Sequence, residues 1–192
     1  MEDKLILVNL NDEEIGTCGK MQTHEEGRLH RAFSVFVFWQ DSEEDSKNPG
    51  SCKLLIQKRA KGKYHSGGKW ANSCCSHPRH GETIQDAVSR RLPEETGIDA
   101  AICDLREEGS FVYRAEFANG LSEYEYDHVF TGLITGKSTE RDHCFARNPE
   151  EAEEMQFVDI EWLCQDVLDA PGKYAPWFIT ALPIALKRLQ NK

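Results

Sequence analysis

Cys75 and His77 stand two residues apart, and Glu123 and Glu125 repeat that spacing further along the chain. Thiols, imidazoles and carboxylates are the side chains that move protons. In a strand, Glu123 and Glu125 point to one face, because side chains alternate with a period of two, so both can reach one bound group. A second acidic set, Glu82, Glu94 and Glu95, brackets a short amphipathic stretch. Taken alone, that stretch reads as an ordinary acidic helix, Cys75 as a buried inert thiol, and each basic residue as a solvated surface group. Function has to come from the set.

The elements that would position these groups are mostly strands. Short runs rich in Val, Ile, Phe and Tyr predict strands at Leu5–Leu10, Phe33–Trp39, Lys53–Lys58, Ser110–Phe117, His128–Ile134 and Gln156–Trp162. A helix is signalled at Thr83–Thr96, with Thr83 and Asp86 forming a capping box, Ile84, Ala87, Val88 and Leu92 on one face, and Gly97 as terminator. A second helix is predicted over Pro176–Leu189, kinked at Pro183. Mixed strands flanked by helices predict an α/β sandwich in a single domain over residues 1–192. Residues 40–51, polar and ending in Pro49-Gly50-Ser51, read as a mobile surface hairpin loop. The run Glu150-Glu151-Ala152-Glu153-Glu154 reads as solvated.

At 192 residues, with 39% apolar and 9% aromatic side chains, the chain can bury one core. A formal net charge of −10 argues against nucleic acid as partner, so any anion site must be a local basic cluster. No stretch approaches the roughly 18 consecutive apolar residues that span a bilayer, and the start lacks the pattern of a signal segment. Seven cysteines without a C-x-x-C pair read as reduced thiols, which predicts a cytoplasmic protein with no membrane partner. The expected state is a monomer.

From Ser76 to Ile98 the spacing Ser76-(five residues)-Glu82-(seven residues)-Arg90-Arg91-Leu92-Pro93-Glu94-Glu95-Thr96-Gly97-Ile98 resembles the Nudix box, G-x5-E-x7-R-E-U-x-E-E-x-G-U. Two positions depart from it: Ser76 replaces the first glycine, and Arg91 replaces a glutamate that holds metal in the hydrolases. Just upstream, Asn72-Ser73-Cys74-Cys75-Ser76-His77-Pro78 resembles the N-S/T-x-C-S/G-H-P signature of type I isopentenyl-diphosphate isomerases. Gly16-Thr17-Cys18-Gly19-Lys20, His24, Arg28-Leu29-His30-Arg31-Ala32-Phe33, Lys58-Arg59-Ala60, Lys63, Tyr113-Arg114-Ala115, Glu123-Tyr124-Glu125 and Trp177 resemble further elements of that family in order and near-matching spacing.

The resemblance implies a Nudix-like α/β/α fold and an enzyme that interconverts isopentenyl and dimethylallyl diphosphate. It implies Cys75 and Glu125 as the acid–base pair, assisted by Tyr113 and by the π face of Trp177, with Trp70 as a further candidate for that face. His24, His30, His77, Glu123 and Glu125 become a site for Mn²⁺ or Zn²⁺, a choice that fits imidazole-rich ligation. Glu95 with the substrate diphosphate becomes a Mg²⁺ site. Lys20, Arg59, Lys63 and Arg91 become the diphosphate clamp. His65, His80, His128 and His143 receive no role, and Cys74 is assigned to the core.

Two features cut across the pattern. Pro93 inside the Nudix helix predicts a kink or an early end, which leaves the aim of Glu94 and Glu95 open. Tyr64-His65-Ser66-Gly67-Gly68-Lys69 lacks the aromatic-Pro-Gly of the family, which predicts a looser substrate-binding loop. Two rival readings stand beside the isomerase: a Nudix hydrolase, which Arg91 disfavours, and a noncatalytic binder of prenyl diphosphate or metal on the same fold.

Overall fold

The structure is a computed structural model that describes residues 4–42 and 52–190. Its organising element is β3 (His30–Asp41), a continuous strand of twelve residues. One edge of β3 runs parallel to β8 (Ser122–Gly136) over its whole length, from His30 opposite Glu125 to Asp41 opposite Gly136. Its other edge is shared in succession by β1 (Lys4–Val8), β6 (Cys74–Ser76) and β4 (Cys52–Arg59). Beyond these, β2 (Glu14–Gly19) pairs with β1, β7 (Asp104–Glu116) with β8, and β5 (Trp70–Ala71) and β9 (Ala152–Asp159) with β4. Among the described residues all nine strands join one mixed sheet.

The period-two alternation of β3 divides the core. Odd positions Phe33, Val35, Val37 and Trp39 pack with Cys74 against α2 (Ile84–Thr96), through Ala87, Val88 and Leu92. Even positions Phe36 and Phe38 pack against α4 (Ile160–Asp169) and α5 (Pro176–Ala185), through Leu163, Trp177, Phe178 and Ala181. Helices therefore cover both faces of the sheet, the sandwich expected from the strand and helix pattern. A short helix α1 (Lys20–Glu26) follows β2 and ends at Gly27, whose φ of 60° is the left-handed conformation that lets the chain turn into β3. A single turn, α3 (Ser138–Arg141), follows β8, and no helix among the described residues is long and apolar enough to cross a membrane.

Several boundaries differ from expectation. β2 and α1 were not predicted as elements, since Glu14–Glu26 carries neither a clean alternation nor a helical period. The last predicted strand begins and ends earlier, at Ala152–Asp159, and Trp162 belongs to α4: the Asp159 carboxylate accepts from the backbone N–H of Glu161 and Trp162 and starts a helix there. The helix at Pro176 stops at Ala185 and is followed by α6 (Lys187–Gln190), so the interruption falls after Pro183 rather than at it. α2 runs through Pro93 to Thr96 and ends at Gly97, φ 72°, whose N–H donates to the Pro93 carbonyl. Pro93 thus neither ends the helix early nor displaces the last turn. Of the loop expected at 40–51, Gln40 and Asp41 instead continue β3, paired with Thr135 and Gly136 of β8, and residues 43–51 lie outside the described residues.

Candidate active site

On β8 the side chains of Glu123, Glu125 and Asp127 alternate into the protein interior while Tyr124, Tyr126 and His128 are more exposed. Register then brings partners to the same face. His30 lies beside Glu125 on β3, Tyr113 lies opposite Glu125 on β7, and Cys75 lies opposite Ser34 on β6. β6 is held in place by two side chains. The Ser73 hydroxyl donates to the Leu55 carbonyl (2.6 Å) and accepts from the Val37 N–H (2.8 Å). Asn72 donates to the carbonyls of Cys74 (2.5 Å) and Val35 (3.3 Å), and its Oδ1 accepts from Trp177 Nε1 (2.9 Å). These bonds give the Asn-Ser of the signature a physical purpose, splicing a short strand between β3 and β4 and tying it to α5.

His24 and His30 present the same ring atom to the cleft. Nδ1 of His24 is 2.6 Å from the Lys20 carbonyl oxygen and Nδ1 of His30 is 2.9 Å from that of Arg28. A carbonyl can only accept, so each Nδ1 carries a proton, and in the neutral ring that a metal requires Nε2 keeps its lone pair. His24 Nε2 lies 3.2 Å from Glu123 Oε1, His30 Nε2 3.5 Å from Glu125 Oε1, and His77 Nε2 3.0 Å from the same Glu125 oxygen. Donor atoms of His24, His30, His77 and Glu123 all fall within 4.8 Å of one another. Both oxygens of Glu123 and Nε2 of His30 are buried without a hydrogen-bond partner. Orphaned acceptors of this kind, converging with imidazole lone pairs, fit a divalent cation.

The electrostatics follow from burial. It pushes Glu123 up, helped by the charge of Glu125. For Glu125 burial also opposes ionisation, but the adjoining imidazoles of His30 and His77 outweigh it and hold this carboxyl well below its usual range. Burial pulls His77 down to about 3, against the pull of Glu125. The Cys75 thiol is pushed up to about 12 by burial, with Arg59 opposing. Cys75 is thus a protonated thiol and Glu125 an ionised carboxylate. Tyr113 donates its hydroxyl to Glu125 Oε2, and Trp177, 3% exposed, closes the cleft with Arg59 Cζ 5.1 Å above its ring. Trp70 packs into the core beside Ala71 and lies outside the cleft lining.

Lys20, Arg59, Lys63 and Arg91 line the same cleft. Arg91 donates to Glu94 Oε2 (2.7 Å), Glu95 Oε1 (2.6 Å) and Glu151 Oε1 (3.1 Å), and Lys63 pairs with the other Glu151 oxygen. Glu95 is 2% exposed and its carboxyl is raised by burial, with Arg91 opposing. Glu82 takes a two-pronged hydrogen bond from Arg90 (2.7 and 2.8 Å), a clasp between the loop and α2.

Sequence reasoning missed two residues here. Glu151, read as solvated, bridges Lys63 and Arg91 in the cleft; a signal was available in its place next to the buried Ala152, where β9 begins. His65, given no role, is 7% exposed with its Nε2 against Glu123 Oε1. The loop that carries it is not loose. Arg59 N–H donates to the Lys69 carbonyl (2.9 Å), Gly68 N–H to the Arg59 carbonyl (2.9 Å), and Asn119 Nδ2 to the Tyr64 carbonyl (2.7 Å). The turn is tight enough that a Cβ on Gly67 would come within 2.6 Å of the Lys61 carbonyl oxygen. The other unassigned histidines stay apart from the site: His80 pairs with Glu14, His128 bridges Asp12 and Glu107, and His143 borders a separate surface pocket.

Comparison with known proteins places this geometry. The NUDIX domain matches residues 13–178. The chain is 46% identical over 182 residues to "Isopentenyl-diphosphate Delta-isomerase 2" of Aromatoleum aromaticum, covering 95% of this chain and 86% of that protein. It is 43% identical to the "Isopentenyl-diphosphate Delta-isomerase" of Burkholderia multivorans, with 93% and 90% covered, and 38% identical to that of Photobacterium profundum, with 100% and 99% covered. Among solved structures, DR0079 from Deinococcus radiodurans shares the fold, with a TM-score of 0.63 at 19% identity over 88% of this chain and 90% of that one. By its sequence relatives, its fold and the Cys-His and Glu-x-Glu elements brought together in one cleft, the chain belongs to the type I isopentenyl-diphosphate delta-isomerase family of the NUDIX superfamily.

Proposed function

We propose that the cleft interconverts isopentenyl and dimethylallyl diphosphate by adding one proton to the alkene and removing another, with Cys75 and Glu125 as the two proton carriers. The activity follows from the family. The observation that supports these roles is the pairing of a buried, protonated thiol with a buried, ionised carboxylate on one sheet face. Protonation of the terminal alkene carbon gives a tertiary cation, and loss of a proton from the carbon nearer the diphosphate gives the isomer. One turnover therefore interchanges the protonation states of the pair.

The other residues protect and aim that exchange. Tyr113 fixes the second oxygen of Glu125 and so the direction of its lone pairs. Trp177 offers a π face that attracts cations, as its contact with the Arg59 guanidinium illustrates. Its burial keeps water from trapping a cation as the alcohol. Lys20, Arg59, Lys63 and Arg91 hold the diphosphate, with Arg91 and Lys63 exchanging Glu151 for phosphate oxygens.

His24, His30, His77, Glu123 and Glu125 would hold a divalent ion, Mn²⁺ or Zn²⁺ by their donor types, and Glu95 with the diphosphate would hold Mg²⁺. When bound, the first ion polarises the Glu125 carboxylate and the second neutralises phosphate charge. The acting species is a monomer with a small-molecule partner, working in the cytoplasm. Arg91 occupies a carboxylate position of the hydrolases and pairs with Glu94, which speaks against diphosphate hydrolysis. The test is proton and phosphorus NMR of purified protein with isopentenyl diphosphate, Mg²⁺ and Mn²⁺. Dimethylallyl diphosphate with the diphosphate intact supports the reading, and release of phosphate or pyrophosphate overturns it.

A further inference from the structure

The Lys20 ammonium is held by a ring and not by a carboxylate. Its Nζ lies 5.1 Å from the centre of the Tyr64 ring, inside the roughly 6 Å over which an aromatic face attracts a cation. Lys63 and Arg91 are paired with Glu151, Glu94 and Glu95. Among the described residues no carboxylate forms an ion pair with Lys20. Burial and the like charge of Lys63 disfavour its ammonium, with Glu123 and Glu151 offsetting part of that cost. Lys20 opens α1, and its carbonyl lies 2.6 Å from His24 Nδ1, so the main chain is fixed and only the side chain is left to aim. A point charge on a flexible four-carbon stem has many rotamers. Something has to select the one that faces the cleft.

Tyr64 is a rigid platform for that purpose. It follows Lys63 in the loop between β4 and β5, and its carbonyl accepts from Asn119 Nδ2 (2.7 Å). Its ring stands edge-on to His24 at 5.1 Å and to His65 at 4.5 Å. Lys20 and Tyr64 both line the cleft. The hydroxyl has a different neighbour, lying 3.4 Å from His24 Nε2. Ring and hydroxyl therefore touch different parts of the site, and substitution can separate them.

We propose that Tyr64 is a positioning residue for the diphosphate clamp: its π face holds the Lys20 ammonium at the cleft wall to meet phosphate oxygens, and its hydroxyl is not needed for that. The inference rests on the clamp proposed above and deepens it. A partly buried cation–π contact is equivalent to about a 2- to 30-fold change in affinity.

The experiment measures binding of inorganic pyrophosphate by calorimetry at a fixed excess of Mg²⁺, together with KM and kcat for isopentenyl diphosphate. It compares the native chain with Tyr64→Phe, Tyr64→Leu, Lys20→Met and the double variant Lys20→Met/Tyr64→Leu. Tyr64→Phe, which keeps the ring, should bind pyrophosphate as the native chain does. Tyr64→Leu should weaken pyrophosphate by about 2- to 30-fold and raise KM by a similar factor with kcat unchanged, the signature of binding shared by ground and transition states. In the Lys20→Met background, Tyr64→Leu should cost nothing further, because the contact is already gone. Native affinity in Tyr64→Leu overturns the proposal, as does an equal loss in Tyr64→Phe or an undiminished loss in the Lys20→Met background. If Tyr64→Leu does not fold, Tyr64→Phe with its ring fluorinated decides. Fluorine drains the π face at nearly constant shape, so affinity should fall below that of Tyr64→Phe, and unchanged affinity overturns the proposal. A native chain that does not bind pyrophosphate removes the clamp itself, a different failure from loss of the Tyr64 contribution alone.

Discussion

Arg59 Nη1 lies 3.5 Å from the Cys75 sulfur, so this thiol is buried beside a guanidinium. Burial nevertheless prevails, pushing the thiol up to about 12 from an ordinary 9.0. Alkylation of Cys75 by iodoacetamide, followed by peptide mass spectrometry, should stay slow at neutral pH and rise only as pH approaches 12. Arg59→Met removes the charge that favours the thiolate, so the midpoint should move higher still. A midpoint at or below the ordinary value would show that Arg59, not burial, governs the thiol.

Removing either proton carrier should abolish most turnover. Cys75→Ala and Glu125→Gln are each expected to lower kcat by about 10²- to 10⁴-fold, the usual contribution of a general acid or base. The two should differ in metal affinity. Glu125 Oε1 lies within 3.0 Å of His77 Nε2 and 3.5 Å of His30 Nε2, so Glu125→Gln weakens Zn²⁺ binding, while Cys75→Ala leaves it unchanged. Equal metal affinity in both variants would place Glu125 outside the metal site.

Trp177 should carry a structural share as well as a catalytic one. Trp177→Phe keeps a π face but leaves the buried Asn72 Oδ1 without its donor, 2.9 Å away in the native protein. An unsatisfied buried acceptor costs about 1–3 kcal/mol, which in a chain of this size lowers the melting midpoint by roughly 2–12 °C. Asn72→Ala combined with Trp177→Phe should cost less than the sum of the single variants, because both remove the same bond. Strict additivity in thermal melts would contradict that coupling.

His77 gives the metal-free protein an acid-sensitive component. Its folded value, about 3, lies below its ordinary 6.5, so between these values the unfolded chain binds the extra proton. Stability from this group is therefore fully present above 6.5 and is lost as pH falls, by at most roughly 1.4 kcal/mol per pH unit. Glu123, raised by burial, contributes with the opposite sign, so the readout is a difference. Denaturant unfolding of native and His77→Gln protein should show the native curve falling more steeply between pH 6.5 and 4. Parallel curves would mean that His77 titrates normally in the fold.

Much of this site was legible because its parts repeat local rules. The Thr83 cap and Gly97 terminator set the bounds of α2, and period-two alternation put Glu123 and Glu125 on one face. The residues that sequence misjudged owe their place to distant pairings. Glu151 belongs to an acidic run by composition, yet the strand pairing of Arg59 with Ala152 brings it to Lys63 and Arg91. His65 looked like any loop histidine until its turn was pinned by Asn119, far along the chain. Pro93 predicted a break in α2, but its ring is exposed on the last turns and the Gly97 N–H still reaches its carbonyl.

The measurement closest to the central claim follows isopentenyl diphosphate by proton NMR in D₂O with Mg²⁺ and Mn²⁺, for the native chain beside Cys75→Ala. Proton exchange through Cys75 and Glu125 predicts dimethylallyl diphosphate carrying deuterium in its methyl groups with the native chain, and unchanged substrate with the variant. Deuterated product formed equally fast by Cys75→Ala would contradict the role of the thiol, and an unchanged spectrum with the native chain would contradict the isomerase itself.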